Sequence, residues 1–282
     1  MTNVNKNTIV EAVRRRIDVV GSQNTVARQL GISAAHLKSI REGDLDKVAD
    51  KTLNKIARML NVQERWQQAE TRNYTRVMNL CKHTQSLGLS RAISFAPGTG
   101  KTYALRAYAD VTTNAFYIEC EEYWSKKVFL RELRRAIGLD DAPMGIAEMV
   151  EGIMDELKKI DHALVIIDEA DKLKDSVLNL FKTLYNKTSA GFVLAGTPHF
   201  RHRVEKGVRL NKMGFAEIHS RIGGNFIRLY PISDDDVRLI CQSNGVDDPS
   251  AVEHIIDTVQ RDFRQIRASI EEYNLARKKK VS

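Results

Sequence analysis

The spacing of apolar residues changes along this chain, and each spacing predicts a different element. From about residue 8 to 62, apolar residues recur every three or four positions with polar ones between, the period of short amphipathic helices. Between residues 92 and 230 the pattern becomes short strand-like runs rich in apolar residues, at 92–95, 116–120, 163–169, 191–197 and 225–230. The run at 163–169, continuously apolar until its two final acids, reads as a strand buried on both faces. Helical stretches fall between them: Tyr74 to Leu87, Tyr103 to Ala109, a helix capped at Ser125 and one over 146–160. Strands alternating with helices predict an α/β fold with a mostly parallel, doubly wound sheet. Pro231 stops the last strand, and helices are expected over 233–244, 249–259 and 262–277. This organisation predicts an all-α domain at 1–63, an α/β core at 64–232, and a helical segment at 233–282 that ends in the basic tail Arg277, Lys278, Lys279 and Lys280.

Within the first region, Gln23 to Arg41 is the informative part. Asn24 and Ser33 are candidate helix caps, and Gly31 between them suits a turn that needs positive φ. Val26, Leu30, Ile32, Leu37 and Ile40 supply an apolar interior, and Ala27 permits two helices to cross closely. The stretch resembles the helix-turn-helix of the phage repressor and Cro family. Its second helix then presents Ser33, Ala34, Ala35, Lys38, Ser39 and Arg41 outward, with Lys38 and Arg41 as the DNA-binding candidates. There is no Asn or Gln for adenine on that helix, which argues against tight sequence specificity. Small three-helix modules with a Gly turn also serve protein–protein contacts.

The chemistry centres on Phe95-Ala96-Pro97-Gly98-Thr99-Gly100-Lys101-Thr102, between the first strand and a helix. That context suits a phosphate-binding loop. Pro97, Gly98, Thr99, Gly100, Lys101 and Thr102 line it; the glycines let successive N–H groups point at phosphate oxygens, and the helix start adds its own. Lys101 is placed to reach the β- and γ-phosphates of ATP, and the Thr102 hydroxyl to ligate Mg²⁺. The full pattern opens with Gly where this chain has Phe95, at a position that opens the loop without gripping the γ-phosphate. The run at 163–169 ends in Asp168 and Glu169, at the strand end where ligands of open α/β sheets sit. Asp168 is expected to hold Mg²⁺, and Glu169 to polarise the attacking water. Asp168-Glu169-Ala170-Asp171 also spells a helicase box, but no other helicase motif accompanies it. Asn73 and Val77 lie at the distance from the first strand typical of adenine-contacting segments.

From about residue 70 onward the chain resembles the AAA+ ATPases, with Gly98 to Thr102 as Walker A and Ile166 to Glu169 as Walker B. The resemblance implies that Thr197 is the sensor 1 residue, that Arg221 is an arginine finger reaching a neighbouring subunit's ATP, and that Arg264 is a sensor 2 contact to the γ-phosphate. The commonest AAA+ choices at positions 95 and 197 are Gly and Asn. The pairing of a Cro-like domain with a small AAA+ core, together with Phe215 to Ile222, more narrowly resembles the transposition proteins of Mu-type phages. That resemblance implies polymerisation on double-stranded DNA as a helical filament, capture of target DNA with little sequence specificity, and delivery to a transposase. A nucleotide-switched transcription regulator and a helicase loader remain as alternatives.

Composition narrows the classes. Hydrophobic residues make up 43% and charged residues 28% of the 282, as in a globular chain. The formal net charge of +8 and pI near 9.3 point to nucleic acid or another anionic partner. Lys126, Lys127, Lys172 and Lys174 follow strand ends and are further candidates for DNA phosphates. No apolar run approaches the roughly eighteen residues of a membrane span, the N-terminus lacks a signal-peptide core, and Cys81, Cys120 and Cys241 are scattered and odd in number. These features predict a cytoplasmic protein without a metal site built on cysteine. His199 and His202 read as a surface pair.

Overall fold

A computed structural model describes residues 6–60, 66–140 and 142–280. The chain divides into two compact units that meet at Gln67 and Gln68. The boundary expected at residues 63 and 64 lies outside the described residues.

The first unit holds helices α1 (Lys6–Val20), α2 (Gln23–Leu30), α3 (Ala34–Glu42) and α4 (Asp50–Met59). Val13, Val26, Leu30, Leu37, Ile40, Leu53 and Ile56 form its core, and Ile32 packs half-buried against it. The α2–α3 turn runs through Gly31 at φ 60, where a Cβ-bearing residue is strained. Ser33 caps α3 by accepting the His36 N–H at 3.1 Å. The cap of α2 is Ser22, not Asn24: Ser22 is extended and accepts from Thr25, whereas Asn24 already lies inside the helix.

The second unit begins with α5 (Arg72–Ser86) and continues as β1 (Ser90–Ser94), α6 (Lys101–Val111), β2 (Ala115–Glu119), α7 (Lys126–Ile137), α8 (Ile146–Lys159) and β3 (Leu164–Asp168). A 3₁₀ turn (Ala170–Lys172), α9 (Asp175–Lys187), β4 (Gly191–Gly196), α10 (Pro198–Arg209), α11 (Phe215–Arg221) and β5 (Phe226–Ile227) follow. The helices α12 (Asp234–Ser243), α13 (Pro249–Thr258) and α14 (Phe263–Lys280) end the chain. Among the described residues the strands form one parallel sheet in the order β2-β3-β4-β1-β5. Every residue of β3 and β4 is buried, because helices cover both faces.

Two expected elements differ in extent. The helix after the glycine loop starts at Lys101 rather than Tyr103, which brings Lys101 and Thr102 into its first turn. The last strand pairs only at Phe226–Ile227. At Tyr230 a side chain replaces the neighbouring strand: Asn73 accepts the Tyr230 N–H and donates to its carbonyl, both at 2.8 Å. Asn73 is thus occupied with backbone, and Val77 is buried in the core.

Phe192 is fully buried, edge-on to both Phe181 and Tyr185. Phe192→Ala is expected to lower the unfolding free energy by about 3–5 kcal/mol in urea titrations of the full chain. A loss below about 1 kcal/mol contradicts this packing.

Candidate nucleotide site

The carboxyl ends of β1, β4 and β3 lie side by side, with Ser94 in register with Gly196 and Ile167 with Leu194. Each strand delivers one part of the site at that edge. β1 delivers the glycine loop, β3 the two acids and β4 Thr197. The Ser94 hydroxyl donates to the Thr197 carbonyl at 2.9 Å, and the Phe95 N–H to the Gly196 carbonyl at 3.3 Å, fixing the loop against β4.

The loop is built from left-handed glycines. Gly98 has φ 73 and Gly100 φ 86; a Cβ on Gly98 overlaps the Asp262 carboxylate, and one on Gly100 presses on the Phe263 ring. The Phe263 N–H donates to the Gly98 carbonyl at 2.8 Å, so the start of α14 rests on the loop. Pro97 is exposed at its tip, and the buried Thr99 hydroxyl donates back to the Ala96 carbonyl at 3.0 Å. Lys101 is only 7% exposed, and its Nζ donates to the carbonyls of Phe95 at 3.0 Å and Ala96 at 2.8 Å. The contribution of position 95 is therefore a backbone oxygen. Its side chain packs against the core on one sheet face, which accounts for Phe where Gly is usual.

Asp168 is 1% exposed. Tyr117 on β2 donates its hydroxyl to Asp168 Oδ2 at 3.0 Å, and the Glu169 N–H donates to Oδ1 at 2.9 Å. Burial pushes the Asp168 carboxyl above the usual range, and Thr102, the Glu169 N–H and Tyr117 oppose the shift. Burial likewise pulls the Lys101 amine below its ordinary value, while Asp168, Glu169 and Asp171 draw it back up and Arg264 depresses it further. Arg264 thus lies close enough for its charge to be felt at Lys101. Burial, followed by the charge of Asp168, raises Glu169.

The strand ends at Asp168, one residue short of the expected run, because Glu169 turns into the left-handed region at φ 55. For a residue with a Cβ that conformation is strained. Thr197 caps α10, with its hydroxyl on Asp171 Oδ2 at 2.6 Å. Lys101, Thr102, Asp168, Glu169 and Thr197 therefore come together. Arg221 has a different partner: at the end of α11, its Nε donates to Asn186 on α9 at 2.7 Å. Of the lysines after strands, Lys126 and Lys127 stand exposed in the first turn of α7, and Lys174 is exposed before α9. Lys172 is instead set between Glu121 at 3.2 Å and Glu169 at 3.9 Å. On α3, Lys38 is exposed; Arg41 is half-buried and pairs with Glu42 at 3.2 Å.

Tyr117 and Asp171 are parts of this arrangement that sequence reasoning missed, and Lys172, expected at DNA phosphate, is here the partner of Glu121 and Glu169. Asp171 alone left a signal, as the last letter of the helicase-like box. Tyr117 and Lys172 act through cross-strand and loop contacts that no spacing encodes.

Known proteins agree with this architecture. Residues 92–204 match the AAA domain model, and residues 18–65 match the Cro/C1-type HTH DNA-binding domain. The ATP-dependent target DNA activator B proteins of Escherichia phages D108 and Mu are each 27% identical over 208 residues, 70% of this chain. The chain spans 65% of the length of those two relatives. The Mu-like prophage FluMu DNA transposition protein B of Haemophilus influenzae is 22% identical over 235 residues, covering 80% of this chain and 81% of its own.

If Glu169 carries backbone strain, Glu169→Gly unfolds at higher denaturant than Glu169→Ala, by about 1 kcal/mol, although both lose the carboxylate. Equal stabilities, measured in parallel urea titrations, contradict the strain.

Proposed function

We propose that this AAA-domain chain, similar to the transposition B proteins of Mu-type phages, is a DNA-binding ATPase that assembles on duplex DNA and presents it to a transposase. One observation carries the reading: the convergence of Lys101, Thr102, Asp168, Glu169 and Thr197 on one edge of a parallel sheet. The names of the phage D108 and Mu relatives, which state ATP dependence and a DNA target, support the same conclusion.

The phosphates of ATP lie along the N–H groups of residues 98–102 at the start of α6. Lys101 exchanges the carbonyls of Phe95 and Ala96 for phosphate oxygens, without having to travel. The Thr102 hydroxyl at the start of α6 and the Asp168 carboxylate at the end of β3, two hard oxygen donors, fit Mg²⁺, which takes few protein ligands and, when bound, neutralises phosphate charge. Glu169 faces the γ-phosphate end and polarises the attacking water. Arg264 contacts the γ-phosphate from α14, and Arg221 serves the ATP of the next copy, so that assembly as a homo-oligomer or helical filament depends on nucleotide.

The functional division falls near residue 64: a helix-turn-helix domain at 1–63, the nucleotide-binding core at 64–232, and the lid at 233–282. The DNA contact set is Lys126, Lys127 and Lys174 from the core with Lys38 and Arg41 from α3. Contacts of this kind are to phosphate and read little sequence. Lys172, paired with two carboxylates, is left out of that set. No helix among the described residues is long and apolar enough to cross a membrane, and the proposed place of action is the cytoplasm of a bacterial host.

Lys101→Ala is expected to abolish ATP binding in equilibrium titrations, and DNA binding with it. Glu169→Gln keeps ATP binding but lowers turnover by on the order of a hundredfold. Wild-type nucleotide affinity in Lys101→Ala overturns the reading, as does wild-type turnover in Glu169→Gln.

A further inference from the structure

The residue left over from the helicase-like box holds a defined place beside the site. The Thr197 hydroxyl meets Asp171 Oδ2 at 2.6 Å, and the Thr197 N–H points at Oδ1 at 3.4 Å. Asp171 is held from behind by Arg203, whose Nη1 donates to the Asp171 carbonyl at 3.0 Å and whose other nitrogens grip Asp175. Gly196 completes the fit: a Cβ there comes within 2.7 Å of Asp171 Oδ1, so the carboxylate packs directly against the backbone at the end of β4.

This geometry settles where the hydroxyl hydrogen goes. A carboxylate only accepts, so the hydrogen in the 2.6 Å contact belongs to Thr197. A hydroxyl has one donor and two acceptor positions. The donor is committed to Asp171, and one acceptor position receives the His199 N–H at 3.3 Å. One acceptor position remains. A group in that state cannot donate to a phosphate oxygen; it can receive a hydrogen bond from a water.

We propose that Asp171 is a positioning residue that fixes the Thr197 hydroxyl as an acceptor for the attacking water instead of a donor to the γ-phosphate. The inference rests on the ATPase reading above. Thr197 ends the strand between the glycine loop and Glu169, so it shares the water with Glu169 from a second direction. No covalent step is assigned to either Asp171 or Thr197.

Asp171→Asn is the decisive variant, since it keeps every heavy-atom position and inverts one bond. With its oxygen toward the Thr197 N–H, its amide donates to the hydroxyl, which is then freed to donate elsewhere. ATP turnover by the full chain is measured for wild type, Asp171→Asn, Thr197→Ser, Thr197→Val and Asp171→Asn/Thr197→Val, alongside ATP affinity and thermal melting. The expected result is a kcat lower by on the order of ten- to a hundredfold in Asp171→Asn and Thr197→Val. ATP affinity stays within about twofold of wild type, Thr197→Ser, which keeps the hydroxyl, recovers most of the turnover that Thr197→Val loses, and the double variant is no slower than Thr197→Val. Wild-type kcat in Asp171→Asn overturns the proposal. So does a double variant as slow as the product of the two single losses, or a loss of turnover matched by an equal loss of ATP affinity. If Asp171→Asn melts early, Thr197→Val breaks the same bond from its other end, and an unchanged kcat there overturns the proposal equally. A wild-type chain that does not hydrolyse ATP overturns the ATPase reading and this inference with it, whereas an active wild type beside an unaffected Asp171→Asn overturns this inference alone.

Discussion

The core depends on burying opposite charges at one edge of a sheet without joining them. Asp168 is 1% exposed and Lys101 is 7% exposed, yet each is satisfied by neutral groups: Tyr117 and a backbone N–H for the carboxylate, two loop carbonyls for the ammonium. Burial shifts both groups toward their neutral forms. Such charges are tolerated in a protein interior only where fixed dipoles replace water. The parallel pairing of β1, β4 and β3 turns three strands into loops at one level and supplies the backbone dipoles, and β2, paired with β3, supplies the Tyr117 hydroxyl. On the proposed reading, a polyanion relieves Lys101 and a divalent cation relieves Asp168.

Much of this was legible in the sequence because its signals are local. Continuous apolar runs marked buried strands, a glycine and lysine between strand and helix marked the loop, and Gly31 with Ser33 marked the turn between α2 and α3. What the sequence hid depends on contacts between distant residues. Tyr117 reaches Asp168 only because β2 pairs with β3 in one particular register. The last strand stops at Ile227 because Asn73, 157 residues earlier than Tyr230, takes over the backbone partners of that residue. Asn24 suits a cap by residue type, but Ser22 has the extended backbone that capping requires. Asp171 was visible as a letter in a motif, and its role comes from its distance to Thr197.

The basic groups divide in the same way between those that are free and those that are held. Lys126 and Lys127 stand exposed at a helix start, where the helix dipole also favours an approaching anion. Lys172 follows a strand end as they do, yet it lies between two carboxylates, one of them Glu169. Glu121, its nearer partner, sits in the loop that leads to Lys126. In the proposed function, the loop that meets DNA and the acid that serves hydrolysis therefore share a cation.

The central claim is that nucleotide at this edge governs a broad, sequence-tolerant grip on duplex DNA. Nuclease footprinting of the full chain on a long duplex of mixed sequence, with ATP and Mg²⁺, with ADP and without nucleotide, tests it most directly. The account predicts protection spread along the whole duplex with ATP and its loss with ADP or without nucleotide. Protection of a single short site that is the same in all three conditions contradicts it.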